Sequence, residues 1–191
     1  MQWNWQQPDW PNFRWSSDAL AALEARFLQQ SGIMIGVVRH LGEDDRTNVV
    51  LDVMTDEAMK TSQIEGELLN RDSVQSSLRR EFGLETEQRR IPPAERGIAE
   101  MMMALYRDFA DPLTEEVLSD WHRMVLSGRI DVEVVGRYRE HEDAMQVVSG
   151  PLHKPNVHFE APPSHIMSQE MGRFLDWFAA TGPGGKAPLP G

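Results

Sequence analysis

Apolar residues recur at helical spacing along most of the chain. Between residues 98 and 109 they fall at positions i, i+3, i+4, i+7 and i+11, which form one face of an α-helix. These residues are Ile98, Met101, Met102, Leu105 and Phe109. Similar spacing recurs over residues 20–28, 74–82, 117–125 and 167–178, and Thr114 is placed to cap the third of these segments. The pattern predicts a mainly α fold with a helix in each segment.

Helix start and stop signals set the expected boundaries in the first third of the chain. Gly32 predicts the end of the first helix. Residues 33–41 are apolar and favour a second helix, although periodicity alone leaves a strand open. The polar residues 42–45 predict a loop, and Thr55 or Asp56 is expected to cap the next helix.

One β-hairpin is predicted in this otherwise helical chain. Met145–Gly150 has the apolar composition of a strand, Gly150-Pro151 favours a turn, and residues 157–161 fit the returning strand. An isolated hairpin is only marginally stable in water, so we expect it to pack on helices or on a partner. A free strand edge can accept an extended peptide by β-addition.

The N-terminal segment, residues 3–15, is rich in tryptophan and contains prolines that prevent a helix. Its tryptophans are Trp3, Trp5, Trp10 and Trp15. They provide either an exposed binding platform or a cover for a core. Because leaving so much apolar area in water is unfavourable, we expect them to pack.

The length and composition allow one large domain or two small ones. The chain has 191 residues, of which 40% are hydrophobic and 26% charged. The polar residues 84–93 predict a linker between an N-terminal helical domain, 1–90, and a second domain, 91–191. The Pro/Gly-rich residues 181–191 predict a flexible tail.

Charge and cysteine content exclude several function classes. The net charge of −11 disfavours nucleic acid as a partner, because the protein would repel phosphates. The absence of cysteine fits a reducing compartment, and the scattered histidines predict no metal site. No apolar run is long enough to cross a membrane, and the N-terminus does not resemble a secretory signal. We therefore expect a soluble, cytoplasmic protein without a membrane partner.

Thr61, Glu65 and Gly66 form the most informative cluster. A helix over about 56–68 would place Thr61 and Glu65 on one face, one turn apart. Gly66 would leave room for another backbone or a ligand beside the carboxylate. Spacing alone favours an ordinary solvated helix face.

The segment Lys60-Thr61-Ser62-Gln63-Ile64-Glu65-Gly66-Glu67 resembles the inhibitory helix of Fic-domain proteins. That motif is Ser or Thr, three residues, Glu, and then Gly or Asn. The family transfers AMP from ATP, with Mg²⁺, to a hydroxyl group of a target protein. The resemblance implies that Glu65 pairs with an active-site arginine and obstructs productive ATP binding, with Thr61 and Gly66 completing the motif.

Residues 136–178 resemble the first part of the Fic core, beginning with Gly136-Arg137-Tyr138-Arg139. The resemblance implies that the hairpin, over about 145–161, is the flap whose edge docks the target protein. The tryptophan-rich N-terminus also resembles the opening of the Fic N-terminal domain. The implied docking residues are Met145, Gln146, Val147, Val148, Ser149, Gly150, Val157, His158 and Phe159.

The catalytic signature of the family, His-Pro-Phe-x-x-Gly-Asn-Gly-Arg-x-x-Arg, is absent from this sequence. We therefore expect no catalytic residue, ATP site or magnesium site in these 191 residues, and an incomplete Fic fold. The sequence predicts the N-terminal regulatory and target-docking portion of an adenylyltransferase whose remaining core lies elsewhere or on another chain. Two alternatives are a truncated Fic-like regulator that inhibits a partner enzyme and an unrelated helical scaffold whose hairpin binds a peptide. The resemblance also implies a possible homodimer.

Overall fold

The structure is a computed structural model that describes residues 2–10, 12, 14, 16–84, 90–151, 153–182 and 184–186. Within these residues the helices are α1 (Ser17–Arg39), α2 (Glu43–Ile64), α3 (Arg71–Glu81), α4 (Pro93–Asp108), α5 (Glu115–Val125) and α6 (Met167–Thr181). The strands are β1 (Gln146–Ser149) and β2 (Asn156–Glu160), which pair antiparallel. The prediction of a mainly helical fold with one hairpin is confirmed.

Two boundaries predicted in the first third are wrong. Gly32 does not end a helix, because α1 continues through it to Arg39. A glycine inside a helix costs only about 1 kcal/mol relative to alanine, so the helix-forming residues on both sides outweigh it. The expected loop over 42–45 is the start of α2, where Gly42 is the N-cap. Three acidic residues in that first turn interact favourably with the helix dipole.

The predicted caps Thr55 and Asp56 also lie inside α2. Thr55 is fully buried, and its Oγ1 donates a hydrogen bond to the Leu51 carbonyl at 2.7 Å. Asp56 accepts from Arg71 Nη1 at 2.6 Å, which links α2 to the start of α3. The Thr55 hydroxyl is therefore satisfied one turn earlier in its own helix, and the Asp56 carboxylate by a contact with the next helix.

Residues 30–137 form one compact unit around the core between α2, α3 and α4. α3 packs against both α2 and α4, and α5 packs against α4. The partly buried Met101 and Met102 pack against the core, as their helical spacing predicts. The buried apolar residues are Leu51, Met54, Ala58, Val74, Leu78, Ile98 and Ala99.

The contact between α4 and α5 depends on Gly97. A Cβ atom built at Gly97 would lie 1.9 Å from the carbonyl oxygen of Met124 and 2.9 Å from Ser127 Cβ. The two helices can approach this closely only where one of them lacks a side chain. Thr114 begins α5 as predicted, because its hydroxyl accepts from the Val117 N–H at 3.2 Å.

Residues 1–29 and 138–191 form the second compact unit. The ring of Trp3 contacts Phe159 of β2 edge to face, with centroids 6.0 Å apart. The indole N–H of Trp5 donates to the Glu160 carbonyl at 2.7 Å. The packing interpretation is thus confirmed for Trp3 and Trp5, whereas Trp15 lies outside the described residues.

The two compact units are defined by contacts between residues and not by function. The predicted boundary at residue 90 between a regulatory and a core domain therefore stays a prediction. Of the predicted linker, residues 85–89 lie outside the described residues, as do residues 183 and 187–191 of the predicted tail. α6 extends to Thr181, the first residue of that tail. In the part of the chain that the structure describes, none of the helices has the length and apolar character needed to cross a membrane.

Candidate functional site

The first part of the candidate site is the C-terminal end of α2. Glu65 is the C-cap residue, and Gly66 adopts a φ of +83°, in the left-handed region that glycine tolerates best. The Glu67 N–H donates to the Ser62 carbonyl at 2.8 Å, closing a Schellman-type helix end. The helix predicted over 56–68 is therefore the end of a longer helix that stops before Glu65. The glycine of the motif is a helix-capping residue.

Thr61 and Glu65 are one helical turn apart, as predicted. The Glu65 N–H donates to the Thr61 carbonyl at 3.2 Å, while the Thr61 hydroxyl donates to Glu57 Oε1 at 3.1 Å. The Glu65 side chain is exposed, and its carboxylate has no hydrogen bond or ion pair with any residue that the structure describes. It is a free negative charge at the end of a capped helix.

Two aliphatic side chains next to this carboxylate are exposed to solvent. Ile64 retains 82% of its accessible surface and Leu68 retains 89%. Single exposed apolar residues are common on protein surfaces, but two of them beside an unpaired carboxylate suit a contact with another protein surface.

The residues after Glu65 are held by groups that the sequence did not point to. Arg129 Nη1 lies 2.5 Å from Glu67 Oε1, and its Nε and Nη2 bind the Asp131 carboxylate at 2.7 and 2.6 Å. These hydrogen bonds and the positive charge of Arg129 lower the pKa of Asp131 to about 2. The buried Glu95 accepts the Asn70 N–H at 3.1 Å. No local sequence pattern links these distant positions.

The second part of the candidate site is the hairpin. In the hairpin, Gln146 of β1 lies opposite Glu160 of β2. The register shifts after Val147, which leaves His158 unpaired in a β-bulge. Met145 and Gly150 flank β1, although the Ala161 N–H still donates to the Met145 carbonyl at 2.8 Å. The first predicted strand is thus one residue too long at each end, and the second is displaced by one residue from Asn156–Glu160, differences typical of strand boundaries.

The implied docking residues differ in exposure. All of β1 is exposed, including Val147 at 58% and Val148 at 49%, and Met145 is exposed at 59%. In β2, His158 is exposed and bonds through Nε2 to the Ser149 hydroxyl at 2.6 Å. Gly150 is also exposed, whereas Val157 and Phe159 are partly buried.

The two edges of the hairpin are not equivalent. Because Met145 and Ala161 are hydrogen-bonded partners, the next pair, Gln146 and Glu160, directs its main-chain groups outward. The outward carbonyl of Glu160 is occupied by the Trp5 indole. Among the described residues, no side chain makes a similar hydrogen bond to the outward main-chain groups of β1.

His122 has a structural role. Its Nδ1 accepts the main-chain N–H of the buried Gly136 at 2.8 Å, and Arg123 Nη2 donates to the Gly136 carbonyl at 3.1 Å. Gly136 has a φ of +67°, and an added Cβ would lie 2.4 Å from Arg123 Nε. Among the described residues, no group of three His, Cys, Asp or Glu side chains is arranged to hold a metal ion.

These features can be compared with known proteins. Residues 3–84 match the family model DUF4172, a domain of unknown function. The matched region contains α1, α2, α3 and the Glu65 segment, together with the N-terminal tryptophans. The DUF4172 description assigns no activity, and the match does not extend to the hairpin. No curated protein matches the chain.

Proposed function

We propose that this chain is the N-terminal regulatory and target-docking portion of a Fic protein adenylyltransferase. The proposal rests on the resemblance of Lys60–Glu67 to the inhibitory motif and of residues 136–178 to the first part of the Fic core. The catalytic signature, ATP and Mg²⁺ belong to the remainder of the core. We assign no residue of this chain to bind either one.

The observation that carries the proposal is the unpaired, exposed carboxylate of Glu65 at a capped helix end. A carboxylate in a fixed position is a suitable partner for an arginine guanidinium, which binds carboxylates through two parallel hydrogen bonds. Phosphoryl and nucleotidyl transfer depends mainly on positioning and neutralising phosphate charge. An arginine paired with Glu65 would be unavailable to the phosphates of ATP, and transfer would be inhibited.

The hairpin is the proposed docking element for the target protein. Its exposed β1 strand offers main-chain groups to an extended segment, and Val147 and Val148 offer apolar contacts beside them. Strand pairing would fix the register of the target, so that one hydroxyl group reaches the active site.

The proposal is tested in the intact protein by measuring automodification with ATP and Mg²⁺. Glu65→Gly and Glu65→Gln should both increase the incorporation of AMP, because each removes the inhibitory charge. Glu43→Gln is the matched control, since Glu43 is an exposed carboxylate at the opposite end of the same helix. Unchanged incorporation in both Glu65 variants would show that Glu65 is not the inhibitor.

A second candidate function is a non-catalytic regulator that inhibits a partner enzyme through Glu65. The exposed Ile64 and Leu68 favour it, because they provide apolar area for a separate chain. Mixing this chain with a Fic enzyme that lacks its own inhibitory helix should then reduce modification, and undiminished modification rejects this candidate. The intact mass of the natural polypeptide separates the two proposals: a mass well above 21.8 kDa favours the first.

A further inference from the structure

The connection between α2 and α3 carries Glu65 at its start. It runs from Glu65 to Asn70 without regular secondary structure beyond the helix-capping turn. The turn that places the Glu65 carboxylate closes through the Glu67 N–H, so its stability depends on how the residues after Glu65 are held. Leu69 packs against the core, and two polar contacts with residues more distant in the sequence also hold the connection.

The first contact is made by Arg129. Its guanidinium binds both oxygens of Asp131 on one side, while Nη1 bonds to Glu67 on the other. Because the bidentate contact with Asp131 fixes the plane of the guanidinium, Nη1 is aimed at Glu67. Glu67 lies two residues after Glu65, within the turn that ends α2.

The position of Arg129 is set by the packing of its turn on α4. Gly128 has a φ of +82°, and a Cβ atom added to it would lie 2.6 Å from Pro93 Cβ. The turn after α5 therefore lies directly on the first residue of α4. The Arg129 N–H also donates to the Leu126 carbonyl at 3.1 Å.

The second contact is made by Glu95 of α4, which is only 7% exposed. Its Oε1 accepts the N–H of Asn70, whose own side chain caps α3 by accepting the Ser73 N–H at 3.0 Å. A carboxylate at this place also interacts favourably with the N-terminal end of the α3 dipole. Arg129 and Glu95, the two anchors of the connection, are therefore both fixed relative to α4.

We propose that Arg129 and Glu95 are positioning residues for the regulatory carboxylate of Glu65, an inference that rests on the proposed inhibitory role of Glu65. Neither residue bonds to Glu65 itself. They restrict the connection on which it lies, so that less conformational freedom is lost when Glu65 meets its arginine partner. Loss of the anchors should weaken inhibition while Glu65 remains intact.

The first experiment measures amide hydrogen exchange of residues 65–70 in the 191-residue chain. Arg129→Ala should increase exchange of the Glu67 N–H roughly three- to five-fold, the size expected for the loss of an exposed ion pair. Arg107→Ala is the matched control, because Arg107 makes a similar contact with Asp108. Exchange unchanged by Arg129→Ala would refute the anchoring.

Glu95 is tested in the same way with two variants. Glu95→Gln keeps an acceptor for the Asn70 N–H and should leave exchange close to that of the wild type. Glu95→Ala removes the acceptor and should increase exchange of the Asn70 N–H more than Glu95→Gln does, with circular dichroism confirming that the helices persist. Exchange of the Asn70 N–H in Glu95→Ala equal to that of the wild type would refute the role of Glu95 as its acceptor.

The second experiment measures automodification in the intact protein. Arg129→Ala should increase it less than Glu65→Gly does, and the double variant should match Glu65→Gly, because both changes act through one group. If Glu65→Gly has no effect, the proposed function fails, whereas the exchange results still decide the anchoring. If Glu65→Gly increases modification and Arg129→Ala does not, the positioning role fails and the proposed function stands.

Discussion

The α4–α5 contact provides a test in which two effects of one substitution oppose each other. Gly97→Ala adds a single methyl group inside α4. Alanine is the better helix former, by about 1 kcal/mol, so helix propensity alone predicts stabilisation. The same methyl group would lie 1.9 Å from the Met124 carbonyl oxygen, so packing predicts destabilisation.

The geometry decides which effect is larger. An atom 1.9 Å from a carbonyl oxygen cannot be accommodated by rotating a flexible side chain, because the obstacle is the main chain of α5. Extra methyl groups in well-packed interiors typically cost about 1–3 kcal/mol, and a main-chain obstacle places this case at the upper end. After the gain in helix propensity, we expect a net loss of about 2 kcal/mol in the free energy of unfolding.

Urea denaturation followed by circular dichroism measures this loss. Gly32→Ala is the matched control, because Gly32 also lies inside a helix and a Cβ there meets no atom within 4 Å. It should stabilise the chain by about 0.5–1 kcal/mol. A Gly97→Ala variant as stable as the wild type would refute the close approach of α4 and α5, and with it the placement of the turn that carries Arg129.

Three further predictions concern the candidate site and the hairpin. Gly66→Ala should cost about 1–2 kcal/mol in urea denaturation because of its φ of +83°, and Gly66→Asn should cost less; equal midpoints would contradict the left-handed turn. Trp5→Phe keeps a ring but loses the donor to Glu160, so the hairpin amides should exchange up to about five-fold faster, and unchanged exchange would show that this bond is dispensable. The pKa of Asp131, about 2 in the folded chain, lies below the usual 3.8, so its stabilising contribution is present above about pH 4 and is lost as the pH falls towards 2. An NMR titration checks this value, and Arg129→Ala should raise the pKa towards its usual range, because the hydrogen bonds from Arg129 are the largest cause of the lowering.

The helices with a clear apolar face and a local cap could be predicted from the sequence. α5 illustrates this, because Thr114 caps it and its apolar residues keep helical spacing. The boundary of α1 could not be predicted by the same rules. Glycine ends a helix only where a left-handed capping turn is stabilised, and α1 instead continues through Gly32 to Arg39.

The candidate site could be predicted in part. The Glu65 segment stood out by its resemblance to the inhibitory motif. Glycine and asparagine, the two residues allowed after the motif glutamate, are also the residues that most readily adopt the left-handed conformation at a helix end. The contact of Arg129 with Glu67 joins positions 62 residues apart. Such a pair depends on how α4 and α5 pack, which a single sequence does not reveal.

The packing of Trp5 on Glu160 has a consequence for the order of events during synthesis. The two residues are 155 positions apart, so the arm leaves the ribosome roughly 8–30 s before its partner at about 5–20 residues per second. The continuous unit 30–137 can form in that interval, whereas the unit that contains both chain ends cannot. During that interval the nascent N-terminal arm has no native partner to pack against. A chaperone would therefore have a long time in which to bind its tryptophans.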